Sequence, residues 1–416
     1  MNATSTLPSI SEARLTESLQ ALGRVGALEG GGVNRLALTD ADRAGRDWVV
    51  ERMRELEMDV RVDAIGNVVA TYPGQEAMAP VMTGSHIDTV RTGGLYDGNY
   101  GVLAGLEVVA ALRETGRRLR RPLAVAFFTN EEGARFAPDM MGSLVYVGGM
   151  ALGEALATRG IDGATVGEEL RRIGYAGDAA VGAPRVDSFV ELHIEQGPVL
   201  ECQGRQIGVV EGVQGISWTE FTLEGTSNHA GTTPMSLRRD AGLVAARAAV
   251  FARELSLRLG SRQLATVGSL RLTPDLVNVV PNRAVFTVDL RNTEEVILCE
   301  AEAALHAFVA HAAREEGVQC SHRSLARFEP VAFAPPIVEL VAHAAQSLGY
   351  STLHLPSGAG HDAQMMARVC PAGMIFVPSA GGLSHNVREY TAPEDLARGA
   401  QVLLQVLVQL ADRPDS

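Results

Sequence analysis

The stretch LAVAFFTNEEG, from Leu123 to Gly133, constrains this chain more than any other. Its apolar and aromatic first half is long enough for one fully buried strand, the kind found in an open α/β sheet. The run then stops at Asn130, Glu131, Glu132 and Gly133. In an open α/β sheet the chemistry lies just beyond the carboxyl ends of the strands. Two adjacent carboxylates there repel each other unless something cationic holds them. A divalent metal would do so, with one Glu binding it and the other free to move protons. A Glu pair is more commonly a solvated acidic turn, but three other strand-like runs in this chain also end in His or Asp.

A length of 416 residues exceeds one ordinary core and predicts two domains. The formal charge of −13 opposes nucleic acid or an anionic membrane as a general partner, so an anionic substrate needs a locally placed Arg. The N-terminal MNATSTLPSISEARLTESL lacks a basic region followed by an apolar one, and no apolar run reads as a membrane span. Cys202, Cys299, Cys320 and Cys370 form no CxxC pair, which suits reduced thiols in a cytoplasm and opposes a Cys-rich zinc site.

Taken in order, the first hundred residues read as helix, helix, strand, strand. Thr39 and Asp42 resemble a capping box that opens a helix through Trp48, Val49, Met53 and Leu56. Asp63 to Thr71 reads as a strand broken by a Gly-Asn turn, and Pro80 to Thr83 runs into GSHIDTV. His86 and Asp88 are two apart and point to the same side of an extended chain. Asp88 can then accept a hydrogen bond from one imidazole nitrogen while the other binds metal. The loop RTGGLYDGNYG lacks the Gly-Lys-Ser/Thr of a phosphate-cradling loop, which excludes that mode of nucleotide binding. Asp97, just ahead of the helix from Val102 to Leu112, is either a cap or a carboxylate bridging two metals.

Arg117 to Arg121 read as a solvated connection, and Ala134 to Leu156 as lining an active-site mouth. Asp187 to Leu192 forms a strand leading into His193, Glu195 and Gln196, the last an amide able to contact a polar substrate. From Gly215 the pattern changes. Gly215 to Gly225, Leu264 to Leu272, Asn278 to Arg291 and Val318 to Phe328 read as strands. Pro234 to Leu257 and Thr293 to Glu316 read as helices. Strand, helix, two strands, helix, strand is the order of a ferredoxin-like α+β sandwich, so residues 215–329 are expected to be an inserted domain. Residues 1–214 and 330–416 then form an α/β catalytic domain with a mixed central sheet. A helix from Pro336 to Leu348 reopens it, and SGAGHDA and an apolar strand before His385 follow.

His86, Asp97, Glu132, His193 and His385 make a ligand set of nitrogen and oxygen without thiolate, suited to Zn²⁺, Mn²⁺, Co²⁺ or Ni²⁺. Five ligands are too many for one tetrahedral zinc that also holds water. They suit two metals ~3.5–4 Å apart that share one carboxylate. With GSHIDTV, GLYDGNYG, TNEEGARF, ELHIEQGPVLE, GTSNHAGTTPM, VNVVPN, DLRN, SGAGHDA and GGLSHN, the chain resembles the hydantoinase/carbamoylase-type amidases, a branch of the dinuclear metallo-aminoacylases and peptidases. The resemblance spans almost the whole chain. It implies those five residues as ligands of two metal ions, with Asp97 bridging and Glu131 as general base. His193 stands where the related peptidases usually have an acidic ligand, which favours the amidase branch.

The resemblance further implies that His229 reaches the active site from the inserted domain, often across a dimer interface. It implies that Asn278 and Arg291 grip a substrate carboxylate, Arg in two-pronged fashion, with hinge closure on binding. Gln196, Gly360 and His361 complete the implied pocket. The expected activity is hydrolysis of the ureido C–N bond of an N-carbamoyl-L-amino acid to the amino acid, CO₂ and ammonia, in a cytoplasmic homodimer joined through the inserted domain. Metal would lower the pKa of a bridging water toward ~7, and Glu131 would take its proton. Allantoate amidohydrolase and β-ureidopropionase share every one of these residues. A catalytically silent binding or dimerisation protein on the same scaffold is the rival of another class, opposed by the presence of both Glu131 and Glu132.

Overall fold

The computed structural model describes residues 8–260 and 262–414; the first seven residues of the N-terminal stretch read for a leader lie outside them. The chain divides into two compact units, Met1–Gly212 with Phe333–Ser416, and Val213–Ala332.

The first unit carries β1 (Asp59–Val62), β2 (Val68–Tyr72), β3 (Val81–His86), β4 (Leu123–Phe128), β5 (Ser188–Ile194) and β6 (Ile207–Val213). The second carries β7 (Gly215–Glu224), β8 (Leu264–Thr273), β9 (Arg283–Asn292) and β10 (Gln319–Phe328). The chain then returns to the first unit with β11 (Thr352–Ser357) and β12 (Ala372–Val377). The first sheet runs β1-β2-β4-β3-β5-β12-β6, with β11 also on β6. Its middle strands β4, β3, β5 and β12 are mutually parallel, whereas β2 and β6 flank them antiparallel. The sheet is therefore mixed. β3, β4, β5 and β12 are buried at every residue, as strands covered on both faces must be. The helices Asn99–Glu114 and Pro393–Asp412 pack on them through near-continuous apolar surfaces.

In the second unit the antiparallel sheet runs β10-β7-β9-β8, and the helices Ala241–Leu259 and Glu295–Glu316 pack together and against it. Its core is separate, built around Phe221, Phe286, Leu255, Leu298 and Leu305. Glu295–Glu316 is long and apolar enough to cross a membrane by length and composition, contrary to the expectation that no segment would be. Its apolar stripe, Leu298, Ala301, Leu305 and Val309, is buried in that core instead.

Several elements differ from their expected bounds. The expected helix from Pro234 begins at Ala241, because Asp240 accepts from the Leu243 N–H at 3.0 Å and so supplies the stronger cap. Met235–Leu237 is only a short 3₁₀ turn. Asn278 lies outside the strand expected from it: β9 starts at Arg283, and the Asn278 carbonyl instead accepts the Ala230 N–H at 2.9 Å. Pro281 has no N–H to give a ladder, which keeps that stretch out of the sheet. Glu195, for which the sequence offers no role, accepts the Val199 and Leu200 N–H groups, both at 2.8 Å, and so caps the short helix Val199–Cys202.

Thr39 accepts from the Asp42 N–H at 3.3 Å, but Asp42 answers the Leu38 N–H and the buried Arg46 guanidinium rather than closing a reciprocal box. The expected strand Asp63–Thr71 is the far half of a hairpin. Asp63 Oδ1 accepts the N–H groups of Ile65 at 3.1 Å and Asn67 at 2.9 Å, and these local bonds outcompete the ladder to make the turn before β2. Burial pushes the Asp63 carboxyl up to about 6 despite those bonds. The folded state therefore holds this proton more tightly than the unfolded chain. The stability that Asp63 contributes is full below the ordinary Asp range, and it is lost as pH rises through about 6. Urea midpoints measured from pH 4 to 7 should fall more steeply for the wild type than for Asp63→Asn; parallel curves would remove this assignment.

Candidate metal centre

Because β4, β3, β5 and β12 run parallel, their carboxyl ends open on one edge of the sheet. His86 is the last residue of β3, and the Thr129–Glu132 turn follows β4. His193 is the penultimate residue of β5, and the segment carrying His385 follows β12. Asp97 arrives from the loop before the helix Asn99–Glu114.

These side chains converge. His86 Nδ1 hydrogen-bonds the backbone carbonyl of Asp88 and His193 Nδ1 that of Ile194, each at 2.9 Å. Those bonds orient the rings so that both Nε2 atoms face the centre. Asp97 Oδ1 lies 3.5 Å from His86 Nε2 and 3.3 Å from His193 Nε2. Asp97 Oδ2 lies 3.3 Å from His385 Nε2, which is 3.2 Å from Glu132 Oε2. The ligand atoms of His86, Asp97 and His193 lie within 4.8 Å of one another, as do those of Asp97, Glu132 and His385. One carboxylate thus belongs to both groups, with a different oxygen toward each. A nitrogen and oxygen donor set of this spacing fits divalent cations.

The electrostatics agree with a site built for positive charge. Burial works to raise the Asp97 carboxyl, yet hydrogen bonds from His193, His385 and His86 hold it well below the usual range. Asp97 and Glu132 push the His385 ring up to about 10. Glu131 Oε2 lies 3.3 Å from His86 Nε2. Burial pushes the Glu131 carboxyl well above the usual range against the pull of His86, and Asp362, Glu132 and Asp88 add to the rise.

Asp88 acts differently from expectation. Its carboxylate does not accept from His86, whose Nδ1 is 4.0 Å away from Oδ1. Instead Oδ1 accepts the Glu131 N–H at 3.2 Å and Oδ2 the Glu132 N–H at 3.3 Å. It fixes the backbone of the Glu pair. Gln196 donates through Nε2 to Asp97 Oδ2 at 2.9 Å. His361 is buried with Nε2 on Ser357 Oγ at 2.8 Å, its ring edge-on to His193 at 4.6 Å between centroids. Gly360 precedes it, with Met140 Cε 2.9 Å from where a Cβ would stand.

Three of the expected residues lie in the second unit. His229 is exposed, and its Nδ1 accepts the Gly231 and Thr232 N–H groups at 3.1 and 3.2 Å. Asn278 is exposed. Arg291 grips Asp289 on its own strand, Nη2 to Oδ2 at 2.9 Å.

Other supporting residues escaped the sequence reading. Glu389 and Ser384 bind around Asp97, and Glu191 accepts the Ser85 hydroxyl at 2.6 Å and the Ala363 N–H at 2.7 Å beneath the two histidine strands. The fully buried Arg35 guanidinium ties Ile87 O to Asn99 Oδ1, each at 2.7 Å. The available signal for Glu389 was its position four residues after His385; Arg35 lies among Val33, Asn34, Leu36, Ala37 and Leu38 with no motif around it and offers none.

Residues 82–409 match the model of peptidase family M20/M25/M40. The chain belongs to that family, and it is a hydrolase whose grouped His, Asp and Glu side chains could hold metal. Among its relatives, the N-carbamoyl-L-amino-acid amidohydrolase of Rhizobium meliloti is 42% identical over 400 residues, covering 96% of each chain. That of Geobacillus stearothermophilus is 40% identical over 96% of this chain and 98% of the relative. The allantoate amidohydrolase of Bacillus subtilis is 35% identical over 95% and 97%. A hydantoinase/carbamoylase family amidase from Burkholderia multivorans superposes with a TM-score of 0.96 at 44% identity, covering 98% and 99% of the two chains.

Gly98 shows how tightly the centre is built. Its φ is +66°, its backbone nitrogen lies 3.1 Å from His193 Nε2, and a Cβ there would fall 2.4 Å from the His86 ring. Gly98→Ala should therefore displace His86 and lower Zn²⁺ uptake by the metal-free protein at least ~10-fold, the usual scale for disturbing a ligand's surroundings. Isothermal titration would show it, and unchanged affinity would contradict the packing.

Proposed function

We propose that this chain hydrolyses the ureido C–N bond of N-carbamoyl-L-amino acids with two divalent cations (Zn²⁺, Mn²⁺, Co²⁺ or Ni²⁺), held by His86, Asp97 and His193 and by Asp97, Glu132 and His385. The observation that carries the reading is that Asp97 turns one oxygen to each ligand group. The cations, when bound, supply Lewis acidity that lowers the pKa of water and polarises the carbamoyl oxygen.

The remaining work falls to the chain. Glu131 takes the proton of the attacking water and passes a proton to the leaving nitrogen. Burial raises the Glu131 carboxyl above the usual range, which favours its holding the proton between the two steps. Asp88 keeps Glu131 aimed by holding its backbone N–H. Attack breaks the bond between the carbamoyl carbon and the amino-acid nitrogen, releasing the free amino acid and carbamate, which falls to CO₂ and ammonia. In this reading His229 stabilises the oxyanion, and Asn278 and Arg291 hold the substrate carboxylate, for which Arg291 must leave Asp289. Gln196, Gly360 and His361 complete the pocket. The enzyme works as a homodimer joined through the second unit, and its four free cysteines suit a reducing cytoplasm.

The identity of 40–42% to two carbamoyl-amino-acid hydrolases supports this substrate class over allantoate, whose named hydrolase is at 35%. Ammonia release from N-carbamoyl-L-methionine, allantoate and N-carbamoyl-β-alanine by the cation-loaded protein tests it. Turnover of allantoate alone, or of the β-alanine compound alone, would transfer the chain to a neighbouring activity. Glu131→Gln should keep its cation content while kcat falls about 10²–10⁴-fold, the span attributed to a general base. A surviving rate would remove Glu131 from that role. Arg291→Ala should raise KM about tenfold or more, as loss of a charge-assisted grip implies, with little change in kcat. Equal KM values would end the carboxylate assignment.

A further inference from the structure

His86 and His193 are carried by β3 and β5, so the sheet itself fixes them. His385 has no such support. It lies in the irregular stretch between Gly382 and Thr391, is half-exposed, and adopts φ +52°. A non-glycine residue keeps that conformation only where its surroundings over-determine it.

The buried group that fastens this stretch is Glu389, 3% exposed. Its Oε1 accepts the N–H groups of Tyr96 at 3.0 Å and Asp97 at 3.2 Å. Its Oε2 accepts from the hydroxyl of Ser384, the residue before His385, at 2.9 Å. Ser384 Oγ is also 3.2 Å from Asp97 Oδ2. The Asp97 loop is shaped around this carboxylate, because a Cβ on Gly94 would fall 2.0 Å from Glu389 Oε1. One side chain thereby joins the loop that brings Asp97 to the loop that brings His385.

We propose that Glu389 is a positioning residue that sets the cation affinity of the Asp97, Glu132 and His385 group, while the sheet sets that of the His86, Asp97 and His193 group. The inference rests on the metal reading above and adds to it an unequal pair of sites, one built in and one tethered. Loss of such an outer partner typically weakens metal binding by about 10–100-fold.

Metal-free, full-length protein titrated with Co²⁺, followed by visible absorption and by bound cobalt after dialysis, tests it. The wild type should take up two ions. Glu389→Ala frees the Asp97 N–H as well as Ser384, and Asp97 is the one shared ligand, so the variant should weaken the second ion at least ~10-fold more than the first. Glu389→Gln, whose amide oxygen still accepts from Tyr96 and Asp97 and whose NH₂ reaches Ser384, should restore most of the second affinity. Wild-type binding of both ions by the Ala variant would overturn the proposal. So would equal loss of both in an Ala variant with a native circular-dichroism spectrum, or a Gln variant no better than Ala. Should the Ala variant not fold, Ser384→Ala carries the test: a weakened second ion with an unchanged first supports the tether, and any other pattern overturns it. A wild type that takes up no cobalt is a distinct result, which fails the metal reading and this inference together.

Discussion

A carboxylate removed from water among three imidazoles is the interaction on which this molecule is built. Asp97 is buried, and burial alone would drive it to take a proton. His193, His385 and His86 hold it ionised instead. His86 and His193 are in turn aimed by a backbone carbonyl behind the ring, whereas His385 meets Asp97 and Glu132 through a single nitrogen, Nε2. The arrangement concentrates negative charge from Asp97, Glu131, Glu132 and Asp88 at one sheet edge. Such charge is tolerable only where positive charge is present, as protons or as metal cations.

The fold exists to make that concentration rigid. Parallel strands buried on both faces have little freedom, and their common direction brings His86, the Glu131–Glu132 turn and His193 to the same edge. Beneath them, groups that never meet a substrate hold the loops. Arg46 spans Gly66 O at 2.7 Å and Thr129 Oγ1 at 3.2 Å, and its partner Asp42 is equally buried. Arg35 does the same for the turn after β3. A fully hydrogen-bonded buried guanidinium is costly to place and costly to remove, so it serves geometry more than net stability. The loops it fixes are those that carry the ligands.

The two units answer different physical demands. The first has a sheet covered on both sides, whereas the second is a four-stranded antiparallel sheet with two helices packed against it. Its stacked Phe221 and Phe286 rings, 5.1 Å apart, belong to a core that shares no residue with the first. Each unit therefore has the apolar interior expected of a separate domain.

How much could be read from the letters follows from these facts. Continuous apolar runs that end in polar residues identified β3, β4 and β5 and the converging His and Glu side chains at their ends, because burial on both faces and strand termini leave a plain one-dimensional trace. Local caps such as Thr39 were legible for the same reason. Where local bonds compete, the letters misled: Asp63 closes a turn rather than opening a strand, and Asp240, not Pro234, starts its helix. Pairwise roles were harder still. The spacing of His86 and Asp88 suggested a direct side-chain bond, whereas the carboxylate turns to the backbone of Glu131 and Glu132, more than forty residues along the chain. Sequence alone determined the ligand types, the order of the elements and the family likeness, since these depend on hydrophobic pattern and on residues within a few positions of each other. Only the tertiary structure decided which oxygen of Asp97 faces which histidine, and that Glu389 joins two loops 292 positions apart. Hydrogen bonds of that kind depend on distances in space, which no spacing along a chain encodes.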